Sequence, residues 1–108
     1  MTWPAAVEVR EVGPRDGLQN ESPVPVDARV RLIDALSATG LRRIEAASFV
    51  RADAIPPMAG SDEVMARIDR RAGVVYSALV PNPKGAELAL EARADELELV
   101  VSASETHN

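Results

Sequence analysis

The fold is decided by the stretch Val12-Gly13-Pro14-Arg15-Asp16-Gly17-Leu18-Gln19-Asn20-Glu21. Residues 7–12, which lead into it, alternate between apolar and charged side chains and predict a β-strand. Proline presets φ, aspartate can bond its own backbone and glycine can take a positive φ, so residues 13–17 are typical of a turn. Backbone chemistry alone favours an ordinary surface turn. Its position favours a second interpretation, because ligands of parallel α/β folds bind at the carboxyl ends of strands.

The next two elements are a helix and a strand. After the two prolines of residues 22–25, a helix is predicted over residues 27–39, with Gly40 ending it. Its apolar positions recur at four- and three-residue steps: Val26, Val30, Ile33 and Leu36. Residues 41–50 contain a short strand centred near Ile44, which places Glu45 at or near a carboxyl end.

Two further helix and strand pairs follow. Ser61 is the predicted N-cap of a helix that runs to Arg70 and Arg71, and residues 74–80 form an apolar strand. Asn82 caps the third helix, with Pro83 at its first position. We predict that the apolar side of this helix consists of Ala86, Leu88, Ala89, Leu90 and Ala92. A fourth strand over residues 97–102 is the last element.

The order βαβαβαβ, with units of about 30 residues, predicts an α/β fold with four parallel strands and right-handed crossovers. No Gly-x-Gly-x-x-Gly follows the first strand, so we predict the amino-terminal half of a TIM (β/α)₈ barrel rather than a doubly wound sheet. The 108 residues are about half of the ~250 that such a barrel usually has. We therefore expect residues 1–108 to be a partial catalytic domain cut after strand 4, marginally stable or self-associated as a homo-oligomer.

The composition of the chain argues against several classes of binding partner and site. A net charge of −5, with scattered arginines, argues against nucleic acid, and no stretch is apolar for long enough to cross a membrane. The chain has no cysteine and therefore no disulfide, thiolate metal site or sulfur nucleophile. Residues 1–6 lack the pattern of a signal peptide. We expect a soluble cytoplasmic protein.

Polar side chains follow all four predicted strands and should meet at one rim. These are Arg15, Asp16 and Gln19, then Glu45 and Ser48, then Asn82, and finally Ser102 and Ser104. Singly, each has an ordinary explanation: Asn82 as a helix cap, or Glu45 as an ion-pair partner of Arg42 or Arg43. All of them follow the carboxyl ends of strands, however, and this shared position favours a catalytic face, because several strands of a barrel contribute residues to one active site.

Within that set, Asp16 is the best metal-ligand candidate, because Mg²⁺ typically takes one or two carboxylates. Arg15 suits an oxyanion or a carboxylate through bidentate hydrogen bonds. His107 is the only histidine, and taken alone it indicates a solvated residue near a chain end.

Four segments resemble the amino-terminal part of the hydroxymethylglutaryl-CoA lyases, TIM barrels of the metal-dependent lyase and acyl-CoA condensing superfamily. They are residues 12–21, Ile44-Glu45-Ala46-Ala47-Ser48-Phe49-Val50, Pro81-Asn82-Pro83-Lys84-Gly85 and Ser102-Ala103-Ser104-Glu105. The condensing synthases of that superfamily, such as isopropylmalate and homocitrate synthases, usually have Arg-Asp-Gly-Glu-Gln where this chain has Arg-Asp-Gly-Leu-Gln. The resemblance therefore points to the lyase branch.

The resemblance implies retro-Claisen cleavage of 3-hydroxy-3-methylglutaryl-CoA, an acyl-CoA, to acetyl-CoA and acetoacetate with Mg²⁺ or Mn²⁺. Asp16 matches the family's aspartate metal ligand, and Arg15 matches the arginine that stabilises the enolate of departing acetyl-CoA. Glu45 matches the glutamate that supports this arginine and the metal site. Three residues resemble substrate-pocket positions: Gln19, Ser48 and Asn82.

The family's His-x-His and asparagine ligands and its mobile-loop cysteine have no counterpart in the chain. Three hypotheses follow: a lyase fragment inactive alone, a half-barrel that dimerises into an enzyme, and a non-catalytic module that binds acyl-CoA or a partner. We rank them in that order, because a dimer supplies no His-x-His pair and a binding module gives Asp16 no task. A related acyl-CoA lyase or condensing synthase is the alternative activity.

Overall fold

The structure is a computed structural model that describes residues 2–51 and 54–100. Within these ranges the strands are β1 (Arg10–Glu11), β2 (Arg43–Ser48), β3 (Val75–Val80) and β4 (Glu96–Leu99). The helices between them are α1 (Val26–Ser37), α2 (Ser61–Arg67) and α3 (Pro83–Glu91). The strands form one parallel sheet in the order β1-β2-β3-β4, which confirms the predicted topology.

The first strand is shorter than predicted. Residues 7–9 are exposed, and pairing with β2 is confined to Arg10 opposite Arg43 and Glu11 opposite Ile44. The strand predicted over residues 7–12 is therefore wrong outside Arg10–Glu11, because a sheet edge offers pairing on one side alone. β4 begins at Glu96, one residue earlier than predicted, and the end predicted for it lies outside the described residues.

The second helix differs from the prediction at both ends. Its N-cap is Gly60 in the left-handed region at φ 78°, whereas Ser61 is the first helical residue. The Ser61 hydroxyl donates to the carbonyls of Ser48 at 2.9 Å and Met58 at 2.8 Å, so it ties the helix to the end of β2 instead of capping it. The helix stops at Arg67 because Ile68 is extended, with ψ 148°.

The third helix begins as predicted. Asn82 is its N-cap and accepts a hydrogen bond from the Gly85 amide at 2.8 Å, with Pro83 at the first position. A Cβ added to Gly85 would lie 2.7 Å from the carbonyl oxygen of Phe49, so the helix start sits directly against the chain after β2. The predicted apolar side was partly wrong, because Leu90 is 63% exposed and Ala89 carries the buried contact.

One face of the sheet, the helix-facing side, holds the hydrophobic core. Its fully buried apolar strand residues pack with side chains of all three helices, and they are Ile44, Ala46, Ala47, Tyr76, Ala78 and Val80. The Tyr76 hydroxyl is 2.8 Å from the hydroxyl of Ser37 and accepts from the Arg71 amide at 3.0 Å, so its polar atom is satisfied inside the core.

The opposite side, here called the open face, is polar. Strand alternation and mutual contacts place on it Arg10, Arg43, Glu45, Ser77, Glu96 and Glu98. In a closed barrel this side lines the interior, where bulky apolar residues usually dominate. The open face is therefore unusual for a barrel in carrying so many charges.

Candidate active site

The predicted turn after β1 is a tight helical turn, Gly13–Gly17, here called the rim turn. The carbonyl of Val12 accepts from three successive amides, those of Arg15 at 3.1 Å, Asp16 at 2.7 Å and Gly17 at 3.3 Å. Gly17 does not use a positive φ. By converging on one acceptor, these amides fix the backbone from which Arg15 and Asp16 project, directly after the carboxyl end of β1.

Arg15 is the centre of the site. Its Nε donates to Oε1 of Glu45, and its Nη1 lies 3.4 Å from both Oδ1 of Asp16 and Oε1 of Gln19. The structure thus brings together four of the residues predicted to meet at the rim. Arg15 is largely buried, whereas the side chain of Asp16 is 61% exposed and faces solvent.

Glu45 lies in the middle of β2 rather than at its end, three residues before Ser48. It still reaches the rim because the rim turn folds over β2. The alternative of an ion pair with Arg42 or Arg43 is wrong, since Arg15 is its partner and Arg43 pairs with Glu8 and Glu96.

A second carboxyl group lies against Glu45. The side chain of Glu45 is only 2% exposed, and Glu45 pairs in register with Ser77, whose hydroxyl donates to Glu98 of β4 at 3.0 Å. Burial raises the pKa of Glu45 to about 7, the hydrogen bond with Glu98 adds to the rise, and the Arg15 guanidinium opposes it. For Glu98, burial favours a higher pKa, but the hydrogen bonds from Glu45 and Ser77 outweigh it and lower the pKa. Glu45 is therefore the carboxyl of this pair that binds a proton more readily.

Two predicted pocket residues lie apart from this cluster. Ser48 ends β2 and lines a cavity of about 270 Å³ together with Phe49, Met58 and Leu88, and its buried hydroxyl has no partner among the described residues. Asn82 follows β3, and its Oδ1 is occupied as the helix cap. Neither residue hydrogen-bonds to Arg15 in the part of the chain that the structure describes.

The described ranges contain no group of three or more histidine, aspartate or glutamate side chains able to hold a metal ion. Asp16 fits one ligand position, because it is exposed and its nearest cation is 3.4 Å away. Three candidates, Ser102, Ser104 and His107, lie outside the described residues. No described helix has the length and apolar character needed to span a bilayer.

Sequence reasoning missed Glu98 and its partners. Glu98 Oε1 accepts from Ser77 Oγ at 3.0 Å and forms an ion pair with Arg10 Nη1 at 2.9 Å, so β1, β3 and β4 all contribute to the carboxyl pair. The available signal was the alternation of Glu96 and Glu98 in β4, which places charge on a face that is usually apolar.

The parallel β/α units and the polar rim after β1 define part of a (β/α)₈-barrel protein. Comparison of structures supports this class: an HMG-CoA lyase from Acinetobacter baumannii, in complex with coenzyme A and 3-methylmalate, superposes with a TM-score of 0.91 and 52% identity. The superposition covers 94% of this chain and 33% of that one. The HMG-CoA lyases that are its structural neighbours are TIM barrels.

The chain is homologous to the amino-terminal portion of the hydroxymethylglutaryl-CoA lyases. It is 53% identical over 106 residues to the 3-hydroxy-3-isohexenylglutaryl-CoA/hydroxymethylglutaryl-CoA lyase of Pseudomonas aeruginosa, covering 97% of this chain and 35% of that enzyme. It is 52% identical over 104 residues to the mitochondrial hydroxymethylglutaryl-CoA lyase of Gallus gallus, covering 95% and 35%. The chain thus spans about a third of the length of these relatives. No protein-family model matches it.

Proposed function

We propose that residues 1–108 are the amino-terminal part of the catalytic barrel of a hydroxymethylglutaryl-CoA lyase. The reaction is retro-Claisen cleavage of 3-hydroxy-3-methylglutaryl-CoA to acetyl-CoA and acetoacetate. The observation that carries the proposal is the Arg15 guanidinium, held by Glu45 and flanked by Asp16 directly after β1. Homologues at about 50% identity that bear this activity in their names support it.

Arg15 has the task of stabilising negative charge. When the carbon–carbon bond of the substrate breaks, its electron pair moves onto the acetyl thioester and forms an enolate. Glu45 holds Nε, which leaves the terminal nitrogens of Arg15, already near Asp16 and Gln19, to donate to the thioester oxygen. A preorganised donor aimed at developing charge lowers the barrier because it needs no reorganisation during the reaction.

Asp16 is the ligand that this part of the chain offers to a divalent ion, Mg²⁺ or Mn²⁺. When bound, the ion polarises the substrate oxygens that become carbonyl and enolate oxygens. The exposed carboxylate beside Arg15 supports this assignment, since its 3.4 Å contact with Arg15 is long and its side chain is open to solvent. The resemblance assigns the other ligands and a proton-transferring cysteine to segments beyond this chain.

Substrate binding and assembly complete the proposal. We assign substrate contacts to Gln19, which lies 3.4 Å from Arg15, and to Ser48 and Asn82, of which Ser48 contributes an unpartnered buried hydroxyl. Both sheet edges carry exposed apolar side chains, which support closure by a second half-barrel or by self-association: Trp3, Val7, Val9, Leu99 and Val100. A cytoplasmic location and a role in leucine degradation are further proposals, and relatives named mitochondrial make the compartment a point to measure.

A coupled assay for acetoacetate tests the function. The complete protein that carries this chain should cleave 3-hydroxy-3-methylglutaryl-CoA, lose activity with a chelator and regain it with Mg²⁺ or Mn²⁺. The 108 residues alone should show no turnover. Condensation of acetyl-CoA with a 2-oxo acid, without cleavage, would instead assign the protein to the related synthases.

A further inference from the structure

We propose that Glu98 is a positioning residue for Arg15: it acts through Glu45, and Arg10 and Ser77 hold it in place. The four side chains Arg15, Glu45, Glu98 and Arg10 form a row that crosses the open face from the rim turn to β1, by way of β2 and β4. The expected effect of Glu98 on turnover rests on the proposed lyase function. The expected effect of Glu98 on the orientation of the Arg15 side chain does not.

The geometry places Glu98 where it can do this. It stands opposite Leu79 of β3, two residues beyond the Ser77 position, and its side chain is mostly buried. Ser77 Oγ donates to Oε1 at 3.0 Å, and Arg10 Nη1 forms an ion pair with the same oxygen at 2.9 Å. Contacts from two different strands thus hold the Glu98 carboxyl in place.

Glu45 depends on that second anchor. It is nearly inaccessible to water, so a carboxyl oxygen that does not face Arg15 needs a protein partner. Glu45 lies opposite Ser77 in the sheet, and Ser77 donates to Glu98, so the Glu98 carboxyl is the group placed beside it. The two carboxyl groups lie between two arginines, Arg15 beside Glu45 and Arg10 beside Glu98, and a hydrogen bond between them requires that one of them carry a proton. If the Glu98 contact is lost, Glu45 can rotate, and the acceptor of Arg15 Nε moves with it.

Three variants and one control separate positioning from simple support of the fold. Glu98→Gln keeps Oε1 for Ser77 and Arg10 and provides an N–H group for Glu45. Glu98→Leu removes the carboxyl group beside Glu45 and leaves Arg10 without its ion-pair partner Glu98. The double variant Arg10→Leu/Glu98→Leu removes both charges, and replacing both members of a pair is often close to neutral for stability. The control Glu96→Leu changes the same strand and face, next to Arg10 and Arg43, at a side chain that has no hydrogen bond or ion pair with Glu45 among the described residues.

The first readout is the ¹⁵N-arginine spectrum of the full protein, with the Arg15 Nε–H signal assigned by its absence in Arg15→Lys. We expect a slowly exchanging signal in the wild type, in Glu98→Gln and in Glu96→Leu, and loss of protection in both leucine variants of Glu98. A protected signal in a folded Arg10→Leu/Glu98→Leu protein overturns the proposal, whatever the protein catalyses.

The second readout is turnover together with thermal stability. We expect Glu98→Leu to lower kcat about 10- to 100-fold with KM nearly unchanged, since a displaced catalytic group costs about that much. The double variant should regain Tm but not kcat, and Glu98→Gln should retain both. If kcat recovers together with Tm in the double variant, Glu98 is merely structural and the proposal fails. If the wild-type protein shows no lyase activity, the proposed function fails, and the arginine spectrum still decides the role of Glu98.

Discussion

Ile44 and Glu45 are neighbours on β2 and point to opposite faces of the sheet. Ile44 is fully buried among the apolar side chains of the helix-facing side, which any residue of similar shape and volume could join. Glu45 is almost as buried, but it is held by Arg15 and Glu98 through contacts that only particular atoms can make. The same strand therefore supports the fold on one side through non-directional packing and the site on the other through directional hydrogen bonds.

The largest expected effect is on the helix-facing side. Ile44→Ala should lower the free energy of unfolding by about 2–5 kcal/mol, because it removes buried methylene groups and leaves a cavity. Urea denaturation of the protein measures this change. Arg43→Gln, one residue away on the open face, is the control and should hardly move the midpoint, since half-exposed ion pairs contribute little. Equal losses at both positions would contradict the division between the faces.

On the open face, Arg15→Lys should lower kcat of the complete enzyme by about 10²–10³, the usual cost of losing one strong donor to a developing oxyanion. KM should change less, because the contact is made mainly in the transition state. An ammonium cannot reproduce the planar fork of the guanidinium. Steady-state kinetics at saturating metal checks this, and a Tm close to wild type must accompany it. A parallel loss of Tm would mean that Arg15 supports the fold as Ile44 does.

Asp16→Asn should fail in a different way. A neutral amide replaces a charged ligand, so metal binding should weaken by at least about 10-fold, and raising the metal concentration should recover part of the activity. Titration of activity with Mg²⁺ measures the shift. If added metal rescued Arg15→Lys and left Asp16→Asn unchanged, the two roles would have to be exchanged.

The carboxyl pair makes stability depend on pH. The pKa of Glu45 is raised from 4.5 to about 7 in the fold, so its contribution to stability is complete below pH 4.5 and is lost as the pH rises towards 7. Glu98 has a lowered pKa, and its contribution therefore changes below that window. We expect unfolding free energy to fall between about pH 5 and 7.5 in the wild type, with a smaller fall in Glu45→Gln. If the wild type and Glu45→Gln showed the same dependence of unfolding free energy on pH, Glu45 would not be the group that binds this proton.

The smallest effect is expected on the outer surface of α3. Leu90→Ala should change the free energy of unfolding by no more than about 0.5 kcal/mol, because the side chain is 63% exposed. Ala89→Ser, the buried neighbour, is the comparison and should destabilise the protein more by placing a hydroxyl in the core. Thermal melts of the two variants are sufficient. If Leu90→Ala lowered the stability more than Ala89→Ser, Leu90 would belong to the buried side of α3, as the sequence predicted.

The fold was predictable because periodic burial leaves a periodic pattern. The apolar positions of α1 and β3, the glycine after α1 and the cap at Asn82 each predict local structure by a known mechanism. The errors fell where tertiary contacts override local preference: Ser61 bonds across to β2, and Leu90 belongs to a helix with one narrow buried stripe. Short edges such as β1 are set by the number of pairing partners, which no local pattern encodes.

The site was predictable only in part. The motif around Arg15 and the carboxyl ends of parallel strands indicated that Arg15, Asp16, Gln19 and Glu45 would meet, and the structure brings them together. The link to Glu98 joins residues 53 positions apart through a hydrogen bond that depends on the register of three strands. The spacing of residues in the sequence does not reveal this register. Glu98 was therefore predicted only as part of a strand and not as part of the site.

Gly85 has a consequence for how this protein tolerates mutation. Gly85 is not itself a proposed substrate contact, yet every side chain larger than hydrogen would press on the Phe49 carbonyl, where α3 meets the chain after β2. In a scan of all single substitutions, Gly85 should therefore behave like a catalytic position, with nearly every variant depleted. Such depletion would not show that Gly85 takes part in catalysis. The constraint is steric, because the backbone at Gly85 packs directly against the backbone at Phe49.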